Sequence, residues 1–298
     1  MIKARRIGHA TLETPDIDRQ IDYFTGIVGL VLAERQKDRA YLASKLGPLS
    51  VQLERAATPR LARMSFEVAV DTDFATAEKF LSSEGINSER RNDPNPGVRN
   101  LLSFKDPNGV AIDLFHEWTP LGLDQEARGA GVLKLGHIAQ VVTDDPKKLA
   151  DFYCKMLGFR VSDWIEDWFV FLRCGPDHHT VNFLTGKRQQ MHHIAFEVKD
   201  WAHMQQALDL LGKKRIPLTW GPGRHTAGHN IFAYHRNPDD QIVELFGEID
   251  QMNEDLGYFE PRPWHRNHPQ RPRVWNTKED GVGIWGPPPT PDHIRQRA

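Results

Sequence analysis

Two histidines and one carboxylate form the chemistry-bearing pattern of this 298-residue chain. His137 lies in LGHIAQVV, His193 in MHHIAFEV and Glu244 in QIVELFGE, each in an alternating apolar segment that reads as its own strand. Two imidazoles and a carboxylate converging from three strands make a facial ligand set. Such a set leaves open positions on a metal and suits non-heme Fe(II), which must hold substrate and oxygen together. Three more groups able to move protons, His179, His225 and Tyr234, stand at fixed offsets. Tyr234 follows His225 by nine residues, and Glu244 follows Tyr234 by ten.

The elements that must position these residues emerge when the chain is compared with itself. IGHATLETPDIDRQIDYFTGIVGL near the start matches LGHIAQVVTDDPKKLADFYCKMLGF later on. RMSFEVAVDTDFATAEKFLSSEGI matches HHIAFEVKDWAHMQQALDLLGKKRI, and SFKDPNGVAIDLF matches AYHRNPDDQIVELF. Each copy reads as a strand, an amphipathic helix and about three short strands. Pro146 suits a first helical turn, and Leu149, Phe152, Tyr153 and Met156 recur at helical steps on one face. DPNG and NPDD are turn signals before alternating strands. Two modules pair into a domain at 1–123 and two more at 131–250, joined by a small polar linker at 124–130. The remainder, 251–298, is Pro-rich and aperiodic. Its Trp264, Trp275 and Trp285 predict an extended tail packed on the body.

The repeat is its own control. It places His9 opposite His137, Arg63 opposite His193 and Asp113 opposite Glu244. A charged guanidinium does not ligate a cation, so the first half lacks a complete set. Histidines needed only for packing would recur in both halves. This favours a metal site in the second domain and a structural role for the first.

Composition removes several classes of function. A net charge of -2 carries no basic field for nucleic acid or an anionic membrane surface. No run has transmembrane length, and the N-terminal segment MIKARRIGHATLE enters a strand pattern with no apolar leader. Cys154 and Cys174 are the only cysteines and have no CxxC spacing, so a reducing cytoplasm is the expected location.

On LGHIA, MHHIAF and IVELF, on GRHT followed by Tyr234 and Glu244, and on CGPDHHTVNF, the chain resembles the vicinal oxygen chelate superfamily. Within it, the resemblance is to the two-domain type I extradiol dioxygenases that cleave catechols. Ala227 and Ala233 depart from a strict signature at positions without chemistry. The resemblance implies an α+β fold class: two domains, each of two βαβββ modules forming an incompletely closed eight-stranded barrel. It implies Fe(II), or Mn(II) in its place, on His137, His193 and Glu244. Partners would be a catecholic small molecule and dioxygen, in a homo-oligomer.

By the same resemblance His179 is the acid–base histidine, chosen over His178 by the order HHTVNF, while His225 and Tyr234 donate to substrate and oxygen species. The repeat register selects His193 over His192, because Ile194-Ala195 follows it as Ile138-Ala139 follows His137. His203, His229 and His235 read as ordinary, and His265, His268 and His293 have no metal spacing. Trp220, Phe171 and Phe183 are expected to wall the substrate pocket, favouring an alkyl- or aryl-substituted catechol such as biphenyl-2,3-diol. Two other classes fit the fold: a glyoxalase-like metal-dependent isomerase or lyase, and a metal-free binding protein. The first would not need His179, His225 and Tyr234 together, and the second would need no ligand set and is usually a single short domain.

Overall fold

The computed structural model describes residues 2–122, 128–253, 258–260 and 272–297. Most of the expected linker, and Trp264, His265 and His268 of the tail, lie outside the described residues. Four βαβββ modules follow one another. The first is β1 (Ala4–Thr14), α1 (Ile17–Tyr23), β2 (Val31–Gln36), β3 (Arg39–Ala43) and β4 (Leu49–Arg55). The second is β5 (Arg60–Val68), α2 (Phe74–Ser83), β6 (Ser88–Asn95), β7 (Val98–Lys105) and β8 (Ala111–Phe115). The third is β9 (Leu135–Val142), α3 (Pro146–Leu157), β10 (Arg160–Ile165), β11 (Phe169–Arg173) and β12 (Val181–Thr185). The fourth is β13 (Gln190–Glu197), α4 (Trp201–Lys213), β14 (Leu218–His225), β15 (Ile231–Arg236) and β16 (Ile242–Gly247).

One local device starts all four helices. Asp16, Asp73 and Asp200 are N-caps whose side chains accept backbone N–H groups of Arg19, of Ala75 and Thr76, and of His203. Asp145 accepts from Lys147 before α3. Each satisfies donors that the first helical turn leaves unpaired, and loss of one cap costs about 1 kcal/mol.

The described chain forms two compact units. The first contains Met1–Leu135 and Asp151–Phe159, the second Gly136–Ala150 and Arg160–Ala298. The first unit is an eight-stranded sheet in the order β2-β3-β4-β1-β5-β8-β7-β6. β1 runs antiparallel to β5, with β4 and β8 parallel to them on either side. Tyr153, on the C-terminal part of α3, packs edge-on against Phe66 in this unit and donates to Asp106 at 3.0 Å.

The second unit repeats that order as β10-β11-β12-β9-β13-β16-β15-β14 and adds a tail strand at each edge. Arg273–Trp275 pairs parallel with β10, and Gly283–Trp285 pairs antiparallel with β14. Both edges of a half-barrel are thereby paired, which removes open backbone groups. A short helix, Pro291–Ile294, follows with Thr290 as its N-cap. No helix among the described residues is long and apolar enough to cross a membrane.

Candidate metal centre and active site

The central strands β9, β13 and β16 lie side by side in the second sheet. Period-two alternation puts His137 on one face with Ala139 and Val141, and His193 on one face with Ala195. His137 Nε2 lies 2.8 Å from Glu244 Oε2, and His193 Nε2 lies 3.3 Å from the same oxygen. The three ligand atoms fall within 4.8 Å of one another, and all three residues are buried. Ligand atoms each about 2.1 Å from one ion sit roughly 3 Å apart when adjacent, so the spacing fits a single cation. His193 Nε2 is buried without a hydrogen-bond partner among the described residues, as expected of an atom intended for a metal. Asn230 Nδ2 donates to Glu244 Oε1 at 3.1 Å, which leaves Oε2 facing the imidazoles.

Close packing fixes these positions. A Cβ on Gly136 would sit 2.2 Å from Cζ of Phe246, whose ring centroid is 4.8 Å from that of His137. Only glycine allows the ring to lie there and brace His137. The His192 ring brings its Nδ1 to 2.8 Å from His193 Nδ1, which turns His193 Nε2 towards the carboxylate. His192 therefore contributes to the site, although strand alternation alone points it away.

Electrostatics keep the donors in ligating form. Burial raises the Glu244 carboxyl, but the closeness of His137, hydrogen-bonded to it, and then of His193 outweighs burial and holds the group well below the usual carboxylate range. Burial lowers His193, with Glu244 opposing. Ligating histidines must be neutral, so both shifts favour a cation.

His179, His225 and Tyr234, the three residues expected to handle protons, meet beside this centre. His225 Nε2 is 2.9 Å from Tyr234 Oη and 3.8 Å from Glu244 Oε1. Its Nδ1–H donates to the Val282 carbonyl at 3.3 Å, so Nε2 is left to accept the Tyr234 hydroxyl proton. Burial brings His225 to about 4, and burial followed by the Glu244 charge pushes the Tyr234 phenol well above its ordinary value. The His179 ring lies 4.3 Å from His137 between centroids. Burial, then the neighbouring His137 and His178, keep His179 well below the usual histidine range.

A cavity opens over the centre. It is lined by His137, His179, His193, His225, Tyr234 and Glu244, with walls that include Phe171 and Trp220. Phe183, expected in the wall, is fully buried elsewhere, and its strand neighbours Asn182 and Leu184 line the cavity instead. His179 precedes β12, and the turn between them shifts the alternation by one residue, which exchanges the faces. Sequence reasoning missed Asn230 and the tail residues Val282, Pro289, His293, Ile294 and Arg297, which complete the wall. Asn230 stands just before β15, outside the strand whose alternation could have placed it. The tail has no period from which to read a face.

The first unit shows what the same framework does without the ligand set. β5 and β8 pair Arg63 with Ala111 and Ser65 with Asp113, as β13 and β16 pair His193 with Ile242 and Ala195 with Glu244. There Arg63 Nη1 meets Asp113 Oδ1 at 2.9 Å, and Ser103 Oγ donates to that oxygen at 2.6 Å. A guanidinium supplies the positive charge that the carboxylate needs. The glycine-and-ring contact persists, with a Gly8 Cβ only 2.3 Å from Phe115 Cζ.

Residues 134–245 match the Glyoxalase/Bleomycin resistance protein/Dioxygenase superfamily. Metapyrocatechase 2 of Cupriavidus necator is 28% identical over 83% of this chain and 82% of its own. The manganese-dependent 2,3-dihydroxybiphenyl 1,2-dioxygenase of Geobacillus genomosp. 3 is 22% identical over 91% of this chain and 93% of its own. Among solved structures, the Mn(II)-bound glyoxalase from Novosphingobium aromaticivorans superposes with a TM-score of 0.85 at 23% identity, covering 98% of this chain and 94% of that one. At that identity the superposition speaks for the fold. The four βαβββ modules show the vicinal oxygen chelate fold, and residues 134–245, which hold the His137–His193–Glu244 centre, match a Glyoxalase/Bleomycin resistance protein/Dioxygenase superfamily domain.

Proposed function

We propose that this chain is an extradiol dioxygenase that opens the ring of a catechol with dioxygen, using Fe(II) held by His137, His193 and Glu244. The observation that carries this reading is the meeting of a two-histidine, one-carboxylate centre with three proton-handling side chains in one largely apolar cavity. A divalent ion there supplies open coordination positions at which both oxygens of a catechol and a dioxygen molecule are brought together. The protein's own residues do the rest. His179, neutral and buried, accepts a proton from a substrate hydroxyl. Tyr234 and His225 present a linked donor and acceptor beside Glu244, where charge develops on oxygen. Apolar walls exclude water and hold the ring flat.

The same walls support an apolar substituent. Ile165, Phe169, Phe171, Leu184, Ala227 and Ile294 face the cavity. Arg297, the only Lys or Arg that lines the cavity among the described residues, is engaged: its Nε donates to the Thr185 carbonyl and its guanidinium lies 3.7 Å from the Trp168 ring centroid. An alkyl- or aryl-substituted catechol such as biphenyl-2,3-diol fits this chemistry better than an acidic one.

The test is dioxygen uptake by protein loaded anaerobically with Fe(II) or, separately, with Mn(II), across a panel of neutral and acidic catechols. Equimolar dioxygen and catechol consumption, fastest with apolar 3-substituents and with Fe(II), is expected. Metal-dependent turnover of another substrate without dioxygen would establish an isomerase or lyase instead. No uptake with any catechol at full metal occupancy refutes the proposal.

A further inference from the structure

Behind His179 lie two fully buried groups that neither line the cavity nor enter the chemistry above, His178 and Asp163. Their role follows from who donates to whom. Asp163 Oδ1 accepts the Arg273 backbone N–H at 2.9 Å. Asp163 Oδ2 accepts the Trp275 indole N–H at 2.8 Å and faces His178 Nε2 at 3.0 Å. All three partners are nitrogen groups, two of them obligate donors, so the carboxylate acts as an acceptor on both oxygens. The hydrogen between Asp163 and His178 therefore belongs to His178 Nε2.

With a single hydrogen, on Nε2, the His178 ring offers Nδ1 as an acceptor. His179 Nδ1 is 3.0 Å away and must supply the hydrogen for that contact. His179 then has its lone pair on Nε2, the ring nitrogen left for the cavity that His179 lines. The Gly228 backbone packs against the pair. A Cβ on Gly228 would lie 3.0 Å from His178 Nδ1 and 3.3 Å from His179 Cε1, so the backbone there comes close to both rings and a side chain would crowd the pair.

We propose that Asp163 and His178 are positioning residues: they select the His179 tautomer whose Nε2 is unprotonated, so that His179 meets the substrate as a base. The tail takes part, because Arg273 and Trp275 hold the Asp163 carboxylate in register. The identity of the proton donor rests on the catechol reading, whereas the tautomer does not. In the step served, a catechol O–H bond breaks, an N–H bond forms at His179 Nε2, and the oxygen keeps the electron pair. Where a buried carboxylate sets an imidazole tautomer in catalytic triads, the wrong tautomer costs about four orders of magnitude in turnover.

Two variants separate positioning from packing. His178→Asn keeps an acceptor near the place of Nδ1, and His178→Leu removes it. Two-bond 1H–15N correlation spectra of the metal-free protein read the His179 tautomer directly. Nδ1–H is expected in the wild type and in His178→Asn, and a mixture or Nε2–H in His178→Leu. In metal-loaded enzyme, His178→Leu should lower kcat by about 10² to 10⁴-fold with KM and bound metal unchanged, while His178→Asn stays within about tenfold. An Nε2–H tautomer in the wild type overturns the proposal, and that measurement stands even if His178→Leu does not fold. Equal losses in both variants with an unchanged tautomer overturn it too. Wild-type inactivity towards every catechol sinks the catechol reading alone, since the spectra decide the tautomer without turnover.

Discussion

Gly136→Ala and Gly8→Ala apply one perturbation to two copies of the same contact, only one of which braces a metal ligand. A Cβ at Gly136 would stand 2.2 Å from Phe246 Cζ and 2.5 Å from Cε1; at Gly8 it would stand 2.3 Å and 2.6 Å from the same atoms of Phe115. Carbon atoms in contact lie about 3.5–4.0 Å apart, so either ring must retreat by about 1.2 Å or more. Both rings are buried in close-packed surroundings, and overpacking of this kind costs about 1–3 kcal/mol. Thermal midpoints of the two variants should therefore fall by similar amounts, several degrees each. Their metal binding should differ. The Phe246 ring packs on His137 and lies two residues beyond Glu244, so its displacement disturbs two of the three ligands. Loss of such support lowers metal affinity about 10- to 100-fold. Gly8→Ala disturbs a half without the ligand set and should bind metal as the wild type does. Calorimetric scans and metal titration of both variants check this. Equal metal affinity in the two variants would refute the claim that Gly136 and Phe246 position the centre.

His193→Ala removes one of three protein ligands and should abolish stable metal binding, whereas His9→Ala should keep metal and turnover; metal analysis after dialysis decides both. His179→Asn should retain metal and bind catechol while turnover falls by about two to four orders of magnitude in a steady-state assay. Tyr234→Phe deletes the hydroxyl that donates to His225 Nε2, so a smaller loss is expected, with metal content preserved; superimposable pH–rate profiles would make Tyr234 a strand residue only. Asp106 is raised from 3.8 to about 6, chiefly by burial. Its folded value lies above its unfolded one, so its contribution to stability is full below about pH 4 and is lost as pH rises through about 6. A shift of two units corresponds to about 3 kcal/mol. Asp106→Asn should therefore be more stable than the wild type at pH 7 by up to that amount, with the gap closing towards pH 4 in denaturant titrations. The fourth module already holds this exchange, since Asn237 accepts from Asp239 and Gln241 as Asp106 does from Asn108 and Val110.

Much of the site was legible because the residues concerned sit inside regular elements. A strand's alternation and the repeat register were enough to bring His137, His193 and Glu244 to one face, since both are local rules that each module obeys separately. The repeat also exposed Arg63 and Asp113 as a changed pair, and the structure shows that pair as a salt bridge.

What stayed hidden is bonded across long stretches of chain or lies where alternation lapses. Trp275 reaches Asp163, and Val282 reaches His225, across sequence separations of 112 and 57. Such contacts leave no period, so the tail's part in the cavity could not be read from its prolines and tryptophans. Phe183 went to the wrong face because a turn separates His179 from β12, and a one-residue shift exchanges every side chain on a strand. His192 shows the other limit, since it joins the site through its ring nitrogen while its strand position points outward. Local chemistry in the sequence determined which elements form and which residues can ligate or move a proton. Tertiary structure alone decided their tautomers, their braces and the wall around them, because those depend on which distant groups share the same small buried volume.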